Sequence, residues 1–166
     1  MGELILVRHG ETEWSRTGQL GGRTDLPLTD TGVAAAGRLG PVLARRRLLA
    51  VFSSPLSRAM RTAGLAGLTG VQPDADLLEW DYGGYEGMTG AQIQQARPGW
   101  DLWRDGVIPG GDGHPGEELR QVAARTDAVL GRVRRLLADG DVALIAHGHL
   151  QRVLTVRWLG LEPAAA

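Results

Sequence analysis

The chain is 166 residues long with 18 basic and 19 acidic side chains, so its formal net charge is −1. That balance excludes a global field that would gather nucleic acid or an anionic membrane. Every basic residue is arginine and cysteine is absent, which rules out Schiff-base and P-loop lysines, disulfides and thiolate chemistry. The length fits one domain over residues 1–166, long enough for a sizeable core. No stretch is apolar for long enough to span a bilayer, and no signal-type segment opens the chain. Met1-Gly2 lacks the serine or threonine of a myristoylation signal, since Leu6 stands there. A cytoplasmic protein is expected.

Residues 4–7 form a short apolar run of strand type that ends in Arg8-His9-Gly10-Glu11-Thr12. A cation and an imidazole at a strand's carboxyl end sit where open α/β sheets bind ligands, and the arginine fork suits phosphate oxygens. Taken alone, the stretch also reads as an incidental surface junction. Residues 14–28 read as a loop rich in glycine and polar side chains. A helix is predicted from Thr29 or Asp30, as N-cap, to Arg45-Arg46-Arg47, whose charges suit a helix C-terminus and solvent. Residues 49–52 make a second strand that runs into Ser53-Ser54-Pro55. There Ser54 as N-cap and Pro55 at the first helical position open a helix carrying Arg58.

Residues 73–78 predict a short strand leading to Glu79, and residues 89–96 a short helix stopped by Pro98-Gly99. Residues 103–116 are loop-like, with His114 expected in solvent. Gly111 to Gly116 matches a dinucleotide-loop spacing only formally, because no strand precedes it and Pro115 interrupts it. From Glu117 on, Leu119, Val122, Thr126, Val129, Leu130, Val133, Leu136 and Leu137 keep one helical face. Asp139-Gly140-Asp141 breaks that helix before a third strand, residues 142–146, which ends in His147-Gly148-His149 and a further helix. Strands alternating with helices predict an α/β fold, a three-layer sandwich with a mostly parallel central sheet and helices on both faces. Parallel strands share one carboxyl edge, so His9, the helix start near Arg58 and His147 converge there.

Arg8-His9-Gly10-Glu11-Thr12, Ser53-Ser54-Pro55-Leu56-Ser57-Arg58-Ala59, Leu78-Glu79-Trp80-Asp81-Tyr82-Gly83 and Ala146-His147-Gly148 stand in that order along nearly the whole chain. Together they resemble the histidine phosphatase superfamily, which includes the cofactor-dependent phosphoglycerate mutases and many phosphatases. The resemblance implies that His9 becomes phosphohistidine, that Arg8, Arg58 and His147 surround the phosphoryl oxygens, and that Glu79 is the proton donor. Asp81 and Glu86 are rivals for that last role. It further implies substrate contacts from Thr12, Ser15, Gly21, Gly22, Tyr82, Gly148 and His149. Thr12 and Ser15 read equally as hydroxyls capping their own backbone, and Gly21 and Gly22 as turn residues.

The chemistry of the side chains agrees with those roles. A neutral imidazole attacks phosphorus through one nitrogen if the other holds its proton on an acceptor that fixes the tautomer. Arginine forks neutralise the equatorial oxygens, and a carboxylic acid protonates a poor alkoxide leaving group. No metal or other cofactor is implied, and His147-Gly148-His149 lacks the acidic cluster a metal site needs.

Departures from the mutase pattern choose the reaction. Ser15 and His149 stand where mutases usually have asparagine, and Gly87-Met88-Thr89-Gly90 carries no lysine after the acid segment. The stretch from Glu86 to Glu117 is too short for the mutase insertion with its arginine pair. Glu79 to Gly87, Trp103-Arg104-Asp105-Gly106 and Ala146 to His149 are similar to a branch of sugar-bisphosphate and broad-specificity acid phosphatases. The expected activity is therefore metal-independent hydrolysis of small phosphorylated metabolites, sugar phosphates foremost. Phosphoglycerate mutase and a non-catalytic phospholigand-binding module are the alternatives. Neither nucleic acid nor membrane is an expected partner, and a homodimer stays open. Family chains usually continue into further strands; if the sequence is complete, the first strand is expected at an open edge, and a truncated sequence, a partner strand or a smaller sheet would each account for that.

Overall fold

Strand β1 (Leu4–Arg8) is apolar through Val7 and ends on exposed Arg8, and that change of character repeats at each strand end that matters. In the computed structural model, which describes residues 2–166, four strands form one sheet in the order β1-β4-β2-β3. The others are β2 (Leu48–Ser53), β3 (Val71–Pro73) and β4 (Asp141–Ala146), and every neighbouring pair is parallel. β4 lies between β1 and β2, and its residues from Val142 to Ala146 are all buried, as a strand covered on both faces requires. β1 forms one edge of the sheet, as the sequence predicts.

Alternation along the strands separates two apolar layers. Ala143 and Ile145 of β4, with Val7 and Val51, face helices α3 (Gly40–Leu43) and α4 (Ser57–Leu65) through Leu43, Ala59 and Ala63. Val142, Leu144 and Ala146 face α7 (Leu119–Leu136) and α8 (Gly148–Trp158) through Val122, Leu130, Val133, Leu150 and Leu154. Each such large aliphatic side chain contributes about 1.5–3 kcal/mol by leaving water, so the sheet edge is held from both sides. The remaining helices are α1 (Glu13–Thr17), α2 (Asp30–Gly37), α5 (Gly90–Ala96) and α6 (Leu102–Asp105). No described helix is long and apolar enough to cross a membrane.

Several local expectations change. The loop predicted at residues 14–28 begins with α1, whose capping box joins Thr12 and Ser15. The helix predicted to reach Arg45 is two helices, because Pro41 at the start of α3 cannot continue α2. Thr29 is the N-cap of α2, its hydroxyl accepting from Gly32 N–H at 3.0 Å. The short strand predicted at residues 73–78 lies earlier, as β3, since Asp74 caps a 3-10 turn over Ala75–Leu77. α4 starts at Ser57 behind Leu56, not at Ser54-Pro55. His114 is half-buried rather than in solvent, with its Nδ1 sealed.

Candidate active site

Register delivers the central residues. Arg8 stands opposite Ala146, and Ser53 opposite Ile145, so His9, His147 and Ser54 leave three adjacent strands together. His9 N–H donates to Ala146 O at 3.0 Å, and Ser54 N–H to Ile145 O at 2.9 Å. Gly10 follows where a side chain has no room, since a Cβ there would lie 2.6 Å from Gly32 O. A cavity of about 540 Å³ opens at this edge, and of the residues predicted for the site all but His147 and Gly22 line it.

His9 Nδ1 lies 2.7 Å from Gly10 O, and since a carbonyl only accepts, Nδ1 carries the proton and Nε2 keeps a free lone pair. Burial lowers the His9 pKa to about 4; the Gly10 hydrogen bond opposes that, while Arg58 and Arg8 add to it. The ring is therefore neutral at ordinary pH. Arg8 reaches the cavity from the end of β1, packed on Gly148, where a Cβ would meet its guanidinium at 3.4 Å.

Arg58 is 2% exposed and is tied down rather than free. Its Nη1 donates to Thr24 O at 2.8 Å, and its Nη2 to Gly21 O and Gly22 O at 3.1 and 2.8 Å. Burial lowers its pKa, with Glu79 opposing. Gly22 also gives its N–H to Glu86 Oε1 at 2.9 Å, so it supports Arg58 from behind and does not line the cavity. Gly21, by contrast, lines the cavity.

His147 differs most from expectation. It is fully buried 5.0 Å, centroid to centroid, from the His9 ring, and does not line the cavity. Arg58 Nε donates to its Nδ1 at 3.2 Å, which leaves the proton on Nε2, 2.7 Å from Ser54 Oγ. Burial, then the Arg58 charge, hold its pKa well below the ordinary value. In this state it is a neutral imidazole behind His9. Ser54, read from the sequence as a helix cap, fixes its tautomer instead.

Glu79 is 5% exposed and caps α8, which has no side-chain cap from its own N-cap residue. Oε1 accepts from Trp80 N–H and Leu150 N–H, both at 2.9 Å, and Oε2 from His149 N–H at 3.1 Å. These donors fix the carboxyl at the cavity wall. Its rivals are placed elsewhere: Asp81 Oδ1 accepts from Gly83 N–H at 3.0 Å, Glu86 holds Gly22 and Thr24, and neither lines the cavity.

Tyr82 and His149 form one unit, with the phenol oxygen 2.5 Å from Nδ1. Burial pushes the Tyr82 pKa well up and draws the His149 pKa down, so the phenol donates to a neutral ring. Thr12 and Ser15 line the cavity while capping α1 through each other's backbone. His147 and His149 have separate partners and do not converge on a metal. Among the described residues, the grouping with metal-ligand spacing is Asp81, Glu86 and His114, outside this cavity.

Sequence reading missed Gln151, Arg152 and Thr155, which line the cavity from α8. The Arg152 guanidinium lies 4.6 Å from the Trp103 ring centroid, and Trp103 meets His149 edge-on at 5.6 Å. Helical spacing was the available signal, since residues 148, 152 and 155 share one face of a helix that begins at the site.

The histidine phosphatase superfamily model, branch 1, matches residues 4–166. An acid phosphatase of Mycobacterium tuberculosis is 39% identical, covering 97% of this chain and 77% of its own. The sedoheptulose 1,7-bisphosphatase of Saccharomyces cerevisiae is 34% identical, over 95% of this chain and 67% of its own. A solved mycobacterial glucosyl-3-phosphoglycerate phosphatase in complex with VO3 matches with a TM-score of 0.84 at 33% identity, over 99% and 85% of the two chains. The chain belongs to the histidine phosphatase superfamily, branch 1. Within it, this protein is a histidine-type phosphatase, a phosphomonoester hydrolase.

Proposed function

We propose that the protein hydrolyses phosphate monoesters of small sugar-like metabolites through a phosphohistidine at His9. The observation that carries this reading is the His9 tautomer: Nδ1–H on the Gly10 carbonyl frees Nε2 in a cavity shared with Arg8, Arg58 and Glu79. Nε2 forms a bond to phosphorus as the bond to the leaving oxygen breaks, and the Glu79 proton goes to that oxygen. Water then attacks the phosphohistidine, Glu79 takes its proton, and inorganic phosphate leaves. Arg8, with the charge of Arg58 and its one remaining Nη1 N–H, holds the phosphoryl oxygens, while Thr12, Ser15, Gly21 and Gly148 complete that side of the cavity. Tyr82 and His149 face the leaving group.

Every chemical role in this scheme falls to a side chain, so hydrolysis is expected to persist in a chelator. Arg152, with no carboxylate partner among the described ion pairs, supports a substrate with a second anionic group. The relatives named for a sugar bisphosphate and a glucosyl phosphoglycerate point the same way. The reading keeps the protein cytoplasmic and in one domain, with neither nucleic acid nor membrane as partner; a homodimer is compatible with it.

One experiment tests the proposal: rapid quenching with a labelled phosphomonoester, followed by a phosphate-release screen. An acid-labile, alkali-stable adduct is expected in the wild type and absent in His9→Ala. Undiminished labelling of His9→Ala overturns the assignment. Efficient phosphoryl migration on 3-phosphoglycerate with little free phosphate would favour the mutase reading instead.

A further inference from the structure

We propose that Asp81, Glu86 and His114 form a structural site for a borderline divalent cation of the zinc type, outside the catalytic cavity. One ligand atom from each residue lies within 4.8 Å of the other two. Glu86 Oε2 and His114 Nδ1 are both closed to solvent and have no hydrogen-bond partner. Asp81 is 3% exposed, so its carboxyl group also sits inside the protein.

Buried polar atoms left unpaired are costly, and here two of them belong to one cluster. The spacing is informative. Glu86 Oε2 and His114 Nδ1 form no hydrogen bond to each other, so a proton does not bridge them directly. Ligands about 2.0–2.2 Å from a shared ion stand roughly 3–4 Å apart, so three ligand atoms already within 4.8 Å of one another need only small side-chain shifts to close on one ion. One imidazole with two carboxylates is a donor set for zinc-type ions with water completing the shell.

Local structure prepares the ligands. Glu86 Oε1 is held by Gly22 N–H and Thr24 N–H at 2.9 and 3.0 Å, which leaves Oε2 for the cluster. His114 is carried by a turn in which its N–H donates to Gly111 O and its carbonyl accepts from Gly110 N–H. That turn needs Gly113 and Gly116 at φ of 91° and 87°, so it has little stiffness of its own. An ion at this point ties the glycine-rich loop to the segment after Glu79. Through Glu86 it also braces the loop whose carbonyls hold Arg58. The expected effect is on stability, and the inference rests on none of the catalytic assignments.

The test uses the full chain without a histidine tag, stripped with chelator and titrated calorimetrically with ZnCl2. One Zn2+ per chain is expected, with a rise in the thermal midpoint. His114→Ala, which leaves the catalytic cavity intact, should weaken binding at least about tenfold and abolish that rise. Asp81→Asn is the second variant and should do the same. Their far-UV circular dichroism in chelator, compared with wild type, shows that they are folded. A His9→Ala, His149→Ala double variant should keep the binding. The proposal is overturned if wild type binds no Zn2+, which leaves a trapped water as the partner of these atoms. It is equally overturned if binding survives His114→Ala and Asp81→Asn but is lost in the active-site double variant.

Discussion

Arg58 donates its Nε–H to His147 Nδ1 at 3.2 Å, and this bond decides what His147 is before substrate arrives. An imidazole that accepts from a guanidinium is neutral, and its Nε2–H is turned to Ser54 Oγ at 2.7 Å. For His147 to donate to a phosphoryl oxygen it must gain a proton and be released from one of these partners. A phosphate dianion in the cavity supplies the field for that gain. At pH 6, inorganic phosphate should therefore move the His147 ring resonance toward the imidazolium position. A ring signal that does not respond would leave His147 as a neutral support for Arg58. His147→Ala should slow phosphorylation of His9 roughly a hundredfold, since it stabilises charge without bonding to phosphorus, and some labelling should remain.

The His9 pKa of about 4 sets a pH dependence with a definite sign. Between pH 6.5 and about 4 the unfolded chain takes up a proton on this ring and the folded protein does not. Stability therefore falls as pH falls through that window, by up to about 3 kcal/mol from His9 alone. His147 and His149, also lowered by burial, act in the same direction. Urea midpoints measured across the window should decline for wild type and decline less for His9→Gln. Nucleophilicity follows the opposite logic, because Nε2 stays unprotonated down to the same pKa. The acid limb of kcat/KM should not bend near the ordinary histidine pKa.

Arg125 holds the segment that carries Glu79. Its Nη1 donates to Asp76 O and Leu78 O at 2.9 and 2.5 Å, and Nη2 to Glu79 O at 3.1 Å. Nε and Nη2 also bind Glu117, whose Oε2 takes Asp81 N–H and whose carbonyl takes the Trp80 indole N–H. Burial pushes the Glu117 carboxyl up, but Arg125 and the hydrogen bonds outweigh it and keep the pKa below its ordinary value. Arg125→Met leaves three carbonyls without this donor and Glu117 with only Arg23 and the Asp81 N–H, and should lower stability by about 2–3 kcal/mol. Arg125→Lys should recover part of that. If Arg125 positions Glu79, the lysine variant should lose more activity on sugar phosphates than on p-nitrophenyl phosphate. Equal losses would confine it to folding.

The strand ends were legible because apolar runs that stop at Arg8, Ser53 and Ala146 report burial and topology at once. Their convergence followed from parallel order alone. Features built from long-range hydrogen bonds were not legible. Ser54 has the look of an N-cap, yet its hydroxyl is drawn to His147, 93 residues away, and α4 starts later. Asp74 has the composition of a strand end but turns its carboxylate onto Asp76 N–H, which ends β3 early. Arg58 lies near the start of α4, in the helix the sequence marks after its second strand, whereas the carbonyl cradle from Gly21, Gly22 and Thr24 is invisible in residue types, because backbone atoms form it. His114 looked solvated because a glycine-rich loop carries no periodicity from which to read burial.

Glu79 gives the sharpest separation of roles. Its carboxyl accepts from three backbone N–H groups, so glutamine keeps the size and removes the transferable proton but turns its NH2 against one of those donors, the single His149 N–H costing least. A p-nitrophenolate leaving group needs little protonation, whereas a sugar alkoxide needs a great deal. Glu79→Gln should thus slow phosphorylation by sugar phosphates roughly a hundredfold or more, and by p-nitrophenyl phosphate only slightly. Because the same group receives the proton of the attacking water, loss of phosphate from His9 should slow for both substrates. Labelled phosphohistidine should accumulate in the variant with p-nitrophenyl phosphate as donor. Single-turnover rates for the two steps decide the matter: equal losses at the phosphorylation step would remove Glu79 as the acid. The distances from Asp81 and Glu86 to a bound substrate would then be the next to measure.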